Sequence, residues 1–254
     1  LNKIAGYDKT KEILNEKYTF PVNLEQKGFE AVLPNAVLFY GPSGTGKTTI
    51  GKAVAEESGS RFIKMPLLLN NKAVVAKLIE KAELAEKNFK TDKRRTLIQI
   101  NEFETLASKE SGLTDKLKDF MKDCSKKYHC TLLLTTNNPS LIDQSLLTED
   151  ICPVKIPMGP ANKEDTKAIL QYYLNDKDIK DIDYDVLTNA IMKVQPNQAY
   201  SNSQIKKMAE DYIELNKGKT LTQQGLLCYI NKKVPQLSKA DLEKFKAAER
   251  KYSN

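Results

Sequence analysis

The segment at residues 41–48, GPSGTGKT, constrains the fold more strongly than any other part of the chain. It follows an apolar stretch at 36–40, precedes a helical pattern, and matches the spacing G-x-x-x-x-G-K-[ST]. Its glycines allow the backbone to curl so that successive N–H groups face a phosphate. Lys47 would reach the terminal phosphates, and the Thr48 hydroxyl would be offered to Mg²⁺. The segment therefore predicts a nucleotide site built from Pro42, Ser43, Gly44, Thr45, Gly46, Lys47, Thr48 and Thr49.

Short apolar segments alternate with helical patterns over the first 160 residues. The strand candidates are AVLFY (36–40), RFIKM (61–65), TLIQI (96–100), TLLLTT (131–136) and VKIPM (154–158). Continuous apolar strands separated by helices are typical of a parallel sheet that is covered on both faces. We therefore predict an α/β fold, the parallel sheet of a P-loop NTPase with helices on both faces.

From about residue 162 onward the strand pattern stops and helical patterns follow one another. NKEDTKAILQYYL starts with an N-cap candidate, Asn162, has acids in its first turn and carries an apolar stripe at helical spacing. SQIKKMAEDYIEL and TQQGLLCYINKKV show the same pattern. We predict two domains, a large α/β nucleotide-binding domain at 1–160 and a small all-α lid with a C-terminal helix at 161–254.

The segment at 97–106, LIQINEFETL, reads as a buried strand that ends in a pair of acids. A P-loop enzyme needs one carboxylate there to support the metal and a residue that positions the attacking water. Glu102 stands where a general base can polarise that water, although a solvated acid at a strand end is an alternative. Asn101 stands where the first carboxylate is expected. We predict a metal site at Thr48 and Asn101. Because an amide brings no negative charge, the metal affinity or the activity should be about 10- to 100-fold lower than with a carboxylate at position 101.

A second polar segment follows another strand in LLLTTNNPS. Asn-Pro clusters usually mark turns, so the segment alone is a weak signal. Its place in the strand order nevertheless favours Asn137 as the side chain that orients the water against the terminal phosphate, with Asn138 as the second candidate.

Together these segments resemble the AAA family of ATPases, including its katanin/spastin-like and FtsH-like ATPase modules. IAGYDKTKEIL is similar to the family's opening segment, which implies that Ala5 and Gly6 hold adenine. YSNSQIKKM resembles the second-sensor turn of the lid, which implies that Ser203 lies beside the nucleotide. The resemblance further implies ATP and Mg²⁺ as cofactors, a protein substrate or partner, and six-membered homo- or hetero-oligomeric rings.

Three departures from the family pattern bear on activity. The first is Asn101. The second is that no arginine occurs between Arg95 and Arg250, whereas the family carries one or two arginines after the segment TTNNPSLIDQSLL, its sensor 1 region, to complete a neighbour's site; Lys155 could supply charge there but no planar fork. The third is that no aromatic-aliphatic-glycine triplet follows the second strand, where MPLLLNN (65–71) is a possible replacement or simply packs under the sheet.

Composition excludes several classes of function. The basic residues behind the net charge of +7 are mostly lysines spread along the chain, and their short clusters DKRR, SKKYH and NKK lack interleaved aromatic platforms, so a solvated surface is favoured over a nucleic-acid groove. Four cysteines without C-x-x-C spacing and one histidine argue against a zinc site and against an H-E-x-x-H protease. The chain opens on Leu1, which suggests a fragment, and it has no apolar run of membrane-spanning length. We expect a cytoplasmic location.

Two interpretations of function stay open. In the first, the chain is an ATPase module that couples ATP binding and slow hydrolysis to the remodelling of a protein partner. In the second, it is a degenerate domain that holds ATP as a structural or assembly switch. Asn101 and the absent arginines favour the second interpretation, and the retained Glu102 and Asn137 favour the first. A DNA or RNA motor of the wider group is a third interpretation, supported only by the positive charge.

Overall fold

A five-stranded parallel sheet forms the centre of the computed structural model, which describes residues 4–66, 71–180 and 182–252. The strands lie in the order β2-β3-β4-β1-β5 and every neighbouring pair is parallel. Their bounds are β1 Ala36–Tyr40, β2 Arg61–Lys64, β3 Thr96–Ile100, β4 Cys130–Thr136 and β5 Val154–Pro157. Each predicted strand is present, and the carboxyl ends of all five point to one edge of the sheet.

Helices cover both faces of this sheet. Their bounds are α1 Asp8–Leu14, α2 Phe20–Gln26, α3 Lys47–Glu57, α4 Asn71–Asp92, α5 Glu104–Ala107 and α6 Thr114–Asp123, with a π-helical turn at Asn15–Thr19 between the first two. One apolar cluster joins α4 and α6 to one face, and a second joins α1, α2 and α3 to the other. The strands β1, β3 and β4 are buried along their whole length because both faces are covered. The predicted fold class is confirmed.

The second half of the chain is mainly helical and has an apolar cluster of its own. Its helices are α7 Lys163–Leu174, α8 Tyr184–Met192, α9 Asn202–Leu215, α10 Gln223–Asn231 and α11 Lys239–Tyr252. Side chains cap all five of these helices at their N-termini, because Asn, Asp, Ser and Thr oxygens accept bonds from first-turn N–H groups: Asn162, Asp183, Ser201, Thr222 and Ser238. Two short strands, β6 Ile179–Lys180 and β7 Leu221–Thr222, add a small parallel pair that the helical pattern does not reveal.

The last helix, α11, returns to the sheet. Phe245 and Tyr252 pack against Tyr40 of β1, with ring centroids 6.5 and 5.9 Å apart. The Tyr252 hydroxyl donates a hydrogen bond to the side-chain oxygen of Gln144 at 2.7 Å. This helix therefore belongs in packing terms with the sheet rather than with the helical cluster, whose buried members lie between residues 161 and 230.

Two sequence expectations concern single segments. The segment MPLLLNN, named above as a replacement for the family's aromatic-aliphatic-glycine triplet, has its leucines at 67–69, which lie outside the described residues; Met65 is buried in the core. Within the part of the chain that the structure describes, no helix is both long enough and apolar enough to cross a bilayer.

Candidate functional site

A cleft of about 510 Å³ opens at the carboxyl edge of the sheet, between the strands and the helical part. Clefts at this edge are where α/β sheets bind ligands. The loop before α3, the ends of β3 and β4, and the helices α7 and α9 contribute its walls. Twelve of the predicted site residues line it: Ala5, Ser43, Gly44, Thr45, Gly46, Lys47, Thr48, Thr49, Asn101, Glu102, Asn137 and Ser203. Gly6 and Pro42 flank the cleft without lining it.

The loop at 41–46 has a backbone that requires glycine at three positions, and at Gly41, where φ is 147°, a Cβ would overlap the Met158 carbonyl. Gly44 and Gly46 have φ angles of 78° and 95°, in the left-handed region that side chains disfavour. A Cβ on Gly44 would also lie 2.5 Å from the Ser203 hydroxyl oxygen. Because α3 begins at Lys47, the unpaired N–H groups of its first turn face the loop, and the helix dipole adds positive potential there. The loop is therefore built to receive an anion.

The Lys47 ammonium lies beneath this loop and is nearly buried. It donates to the carbonyl oxygens of Gly41 and Pro42, each at 2.7 Å, and to the side-chain oxygen of Asn137 at 3.0 Å. Burial lowers the pKa of Lys47 to about 8, and the Glu104 carboxylate opposes that shift. The three oxygens that accept hydrogen bonds from Lys47 are all neutral. A phosphate oxygen in the cleft would give the ammonium an anionic partner.

Asn101 is held by its side-chain oxygen. That atom accepts hydrogen bonds from Gln99 Nε2 at 2.8 Å, Thr135 Oγ1 at 3.2 Å and Thr48 Oγ1 at 3.4 Å. The residues that fit Mg²⁺ are therefore few. Thr48 offers a hydroxyl, but the Asn101 oxygen already accepts three donors, and no cluster of three His, Cys, Asp or Glu residues occurs among the described residues.

The two residues predicted to act on the water lie on neighbouring strand ends. Glu102 is exposed in the cleft with a φ of 50°, an uncommon backbone conformation for a non-glycine residue that turns the chain just after β3. Asn137 follows β4 and contacts Lys47. Asn138 instead caps the turn after β4, because its side-chain oxygen accepts from the Ser140 amide at 3.1 Å. Of the two asparagines, Asn137 is thus the one in the cleft.

Glu104 is a site residue that the sequence analysis missed. One of its carboxylate oxygens accepts from the Asn137 backbone amide at 3.4 Å, and the other is buried without a partner among the described residues. Its charge acts on Lys47. The available signal was the second acid of the NEFE segment, two residues beyond Glu102.

Tyr7 is a second missed residue, and it joins three parts of the chain at the cleft. Its hydroxyl donates to the Thr45 carbonyl and accepts from the Asn202 side-chain amide, while its backbone amide donates to Asp165 at 2.6 Å. Burial, and secondarily the Asp165 charge, raises the pKa of Tyr7, so the hydroxyl stays protonated. Gly6 packs tightly beside it, since a Cβ there would lie 2.7 Å from Asp165 Oδ1.

The helical part contacts the loop at 41–46 directly at the start of α9. The Ser203 backbone amide donates to the Gly44 carbonyl at 2.9 Å, and the Ser201 and Ser203 hydroxyls are 3.1 Å apart. Lys206, one turn further along α9, also lines the cleft. A ligand in the cleft would therefore contact the helical part as well as the sheet.

The arginines near β2 and β3 lie far from the cleft, at the amino edge of the sheet. Arg61 pairs with Asp92 at 2.7 Å, and Arg95 is buried in a two-pronged ion pair with Glu25. Lys155 is 3.9 Å from the Glu149 carboxylate and its side chain is only 12% exposed. Each of these three cations is therefore paired with an acid of its own chain.

Comparison with known proteins agrees with this geometry. Residues 37–160 match the model of the ATPase family associated with various cellular activities (AAA). This part of the chain belongs to the AAA family. The matched range covers the phosphate loop, both polar strand ends and all five strands of the sheet. Nucleotide binding is the property that this family membership implies for the cleft.

Three relatives are similar over part of their length. Peroxisomal ATPase pex6 of Schizosaccharomyces pombe is 30% identical over 187 residues, 65% of this chain. Fidgetin of Mus musculus is 28% identical over 196 residues, 69% of the chain, and Protein SAV of Sulfolobus acidocaldarius is 28% identical over 160 residues, 58% of the chain. The matches span 19%, 25% and 20% of those proteins respectively, so the chain corresponds to one module of much longer relatives.

Proposed function

We propose that this chain is an ATP-binding AAA module that couples ATP binding, with slow hydrolysis, to the remodelling of a protein partner. The observation that carries the proposal is the convergence of Lys47, Glu102 and Asn137 on one cleft lined by the phosphate loop and by the lid. A ligand that contacts both parts can bias their relative position, which is how such a module would do mechanical work. We propose the domain division at 1–160 and 161–254 on the same basis, with α11 packed back on the sheet.

The roles of the residues follow from their positions. Ala5 lines the end of the cleft nearest the opening segment and, with Gly6 behind it, would support adenine. The loop from Pro42 to Thr49 would enclose the phosphates, and Ser203 would contact them from the lid. Glu102 would act as the general base and Asn137 would orient the water. Bound Mg²⁺ neutralises phosphate charge in enzymes of this class; here the Thr48 hydroxyl is the side-chain oxygen suited to hold it.

Hydrolysis is proposed to be slow for two structural reasons. Asn101 contributes no negative charge. No arginine occurs between Arg95 and Arg250, the range in which the family carries the arginine that stabilises a neighbour's transition state, and such an arginine is worth about 10³- to 10⁵-fold in rate where it operates. Completion of the site by another subunit in a homo- or hetero-hexameric ring would raise the rate. Protein partners and a cytoplasmic location are part of this proposal, whereas the scattered lysines give no reason to propose nucleic acid.

The second candidate is a non-hydrolysing AAA domain that uses ATP as a structural or assembly switch. The same two features favour it, and the exposed Glu102 in the cleft counts against it. The two candidates differ in one measurable property, which is whether phosphate is released.

The test is phosphate release from ATP over a wide range of protein concentration, run beside a direct measurement of ATP binding. The proposal expects slow turnover that rises with concentration and is lost in Glu102→Gln. Glu110→Gln, an exposed acid outside the cleft, is the matched control and should keep the wild-type rate. Tight binding with no turnover at any concentration would establish the switch instead. A turnover as fast as that of an ordinary AAA enzyme would refute the role given to Asn101 and the missing arginine.

A further inference from the structure

The orientation of the Asn101 amide follows from its neighbours. The Thr48 carbonyl can only accept a hydrogen bond, so the Gln99 group that faces it at 3.3 Å must be the amide nitrogen. The same nitrogen lies 2.8 Å from the Asn101 side chain, which therefore turns its oxygen toward Gln99. The Thr135 hydroxyl donates to that oxygen as well. The Asn101 nitrogen is consequently directed away from this network.

This nitrogen is a hydrogen-bond donor without a partner. All three hydrogen bonds of the Asn101 side chain within the described residues end on its oxygen. Asn101 lines the cleft, and its nitrogen is not among the buried unpaired atoms, so it is accessible there. An amide nitrogen carries two N–H groups and has no acceptor capacity. It cannot ligate a cation or accept a bond from a cation's water.

Lys64 adds a positive charge on the same side of the cleft. It stands at the end of β2, in register with Gln99 of β3, so that the two side chains are neighbours on one face of the parallel pair. Lys64 is exposed, lines the cleft, and makes no ion pair with any described residue. Its ammonium is likewise a donor only.

The cleft therefore presents donors where a divalent cation requires acceptors. Magnesium prefers oxygen ligands, commonly one or two carboxylates with phosphates and water. Among the described residues that line the cleft, Glu102 is the single acid, whereas Lys47, Lys64 and Lys206 are all cationic. Phosphate oxygens satisfy an amide N–H and an ammonium directly. The three ammonium groups would also neutralise the negative charge of the phosphates, which Mg²⁺ neutralises in other P-loop enzymes.

We propose that Asn101 and Lys64 bind the nucleotide's phosphate oxygens directly, so that this cleft holds ATP or ADP without a divalent cation. The inference rests on the proposed function, because it requires that the cleft bind a nucleotide. The inference also goes beyond a weakened metal site. It assigns the Asn101 amide the role of binding a phosphate oxygen, and it makes Lys64 one of the residues that allow the nucleotide to bind without a metal.

The experiment compares ATP and ADP binding by calorimetry in saturating magnesium and in EDTA. For the wild type, the Kd should differ by less than about threefold between the two conditions. Asn101→Asp should weaken metal-free binding by at least about 10-fold, since a charged carboxylate then faces phosphate, and magnesium should restore it. Lys64→Met should weaken metal-free binding by a similar factor. Thermal unfolding of every variant checks that each one folds.

Two control variants carry matching changes outside the cleft. Asn162→Asp introduces the same charge change and keeps the helix-capping oxygen, and Lys90→Met removes an exposed lysine of α4. Both should bind as the wild type does. A wild-type protein that needs magnesium by 10-fold or more, or an Asn101→Asp variant with unchanged metal dependence, would overturn the inference while leaving nucleotide binding intact. A folded wild type that binds no nucleotide under either condition would overturn the proposed function, and the inference with it.

Discussion

Removing the Tyr7 hydroxyl should weaken both the fold around the cleft and nucleotide binding. In Tyr7→Phe the ring keeps its packing, but the Thr45 carbonyl loses a donor and the Asn202 amide loses an acceptor. A third, longer contact to the Gly159 carbonyl at 3.3 Å is also lost. With each hydrogen bond worth about 0.5–1.5 kcal/mol net, the free energy of unfolding should fall by about 1–3 kcal/mol.

The effect on nucleotide binding follows from the same contacts. Tyr7 joins the opening segment, the phosphate loop and the start of α9, so its hydroxyl favours the arrangement in which all three surround the ligand. If that whole energy is expressed in binding, the Kd for ATP should rise by about 5- to 100-fold.

The assay is urea unfolding without nucleotide, followed by calorimetric titration with ATP. Tyr172→Phe is the matched control, because Tyr172 lies on α7 with half of its surface exposed. It should change stability by less than about 0.5 kcal/mol. If Tyr7→Phe behaves like Tyr172→Phe in both measurements, the three-way contact contributes nothing and the reasoning is refuted.

Three further predictions concern other parts of the structure. The pKa of Lys47 is lowered from 10.5 to about 8 in the folded protein, so the unfolded chain binds more protons than the folded one between pH 8 and 10.5. The stability of the free protein should therefore rise with pH across that window. Bound ATP should raise the Lys47 pKa again, and binding titrations in buffers of different ionisation enthalpy should show proton uptake near pH 8. Gly44→Ala should lower the free energy of unfolding by about 1–2 kcal/mol through backbone strain, and it should weaken ATP binding because the new Cβ displaces the start of α9. Gly28 also has a positive φ but has open space around it, so Gly28→Ala should lose stability and keep ATP binding. Arg95→Met should lower the free energy of unfolding by about 3–5 kcal/mol, because it leaves the Glu25 carboxylate without its buried partner. ATP binding should change little. An equal loss of stability in Arg94→Met, which changes an exposed arginine, would contradict this prediction.

Much of the fold and of the site is readable in local patterns. The glycine spacing of residues 41–48 specifies a backbone that few other sequences tolerate, and the apolar runs before and after it can be buried only in a sheet covered on both faces. Capping residues such as Asn162 and Ser201 mark where lid helices begin, because their side chains bond to N–H groups only two or three residues away. Asn101 and the absence of arginine between Arg95 and Arg250 are also visible directly. Such features depend on neighbours in sequence.

The remaining site residues depend on neighbours in space. Tyr7 and Asn202 are 195 positions apart, and no periodicity connects them. Lys64 became a cleft residue only because β2 pairs with β3 in a sheet whose order differs from the order of the chain. Glu104 acquired its role when the ends of β3 and β4 were brought side by side.

The sequence by itself determined a phosphate-binding loop, the set of strands and the chemical identity of Asn101. The tertiary structure alone decided which way the Asn101 amide points. That orientation is imposed by Gln99 and the Thr48 carbonyl, which come from a strand and a helix. An amide has a donor end and an acceptor end of nearly the same shape, so only the polar groups packed around it select between them.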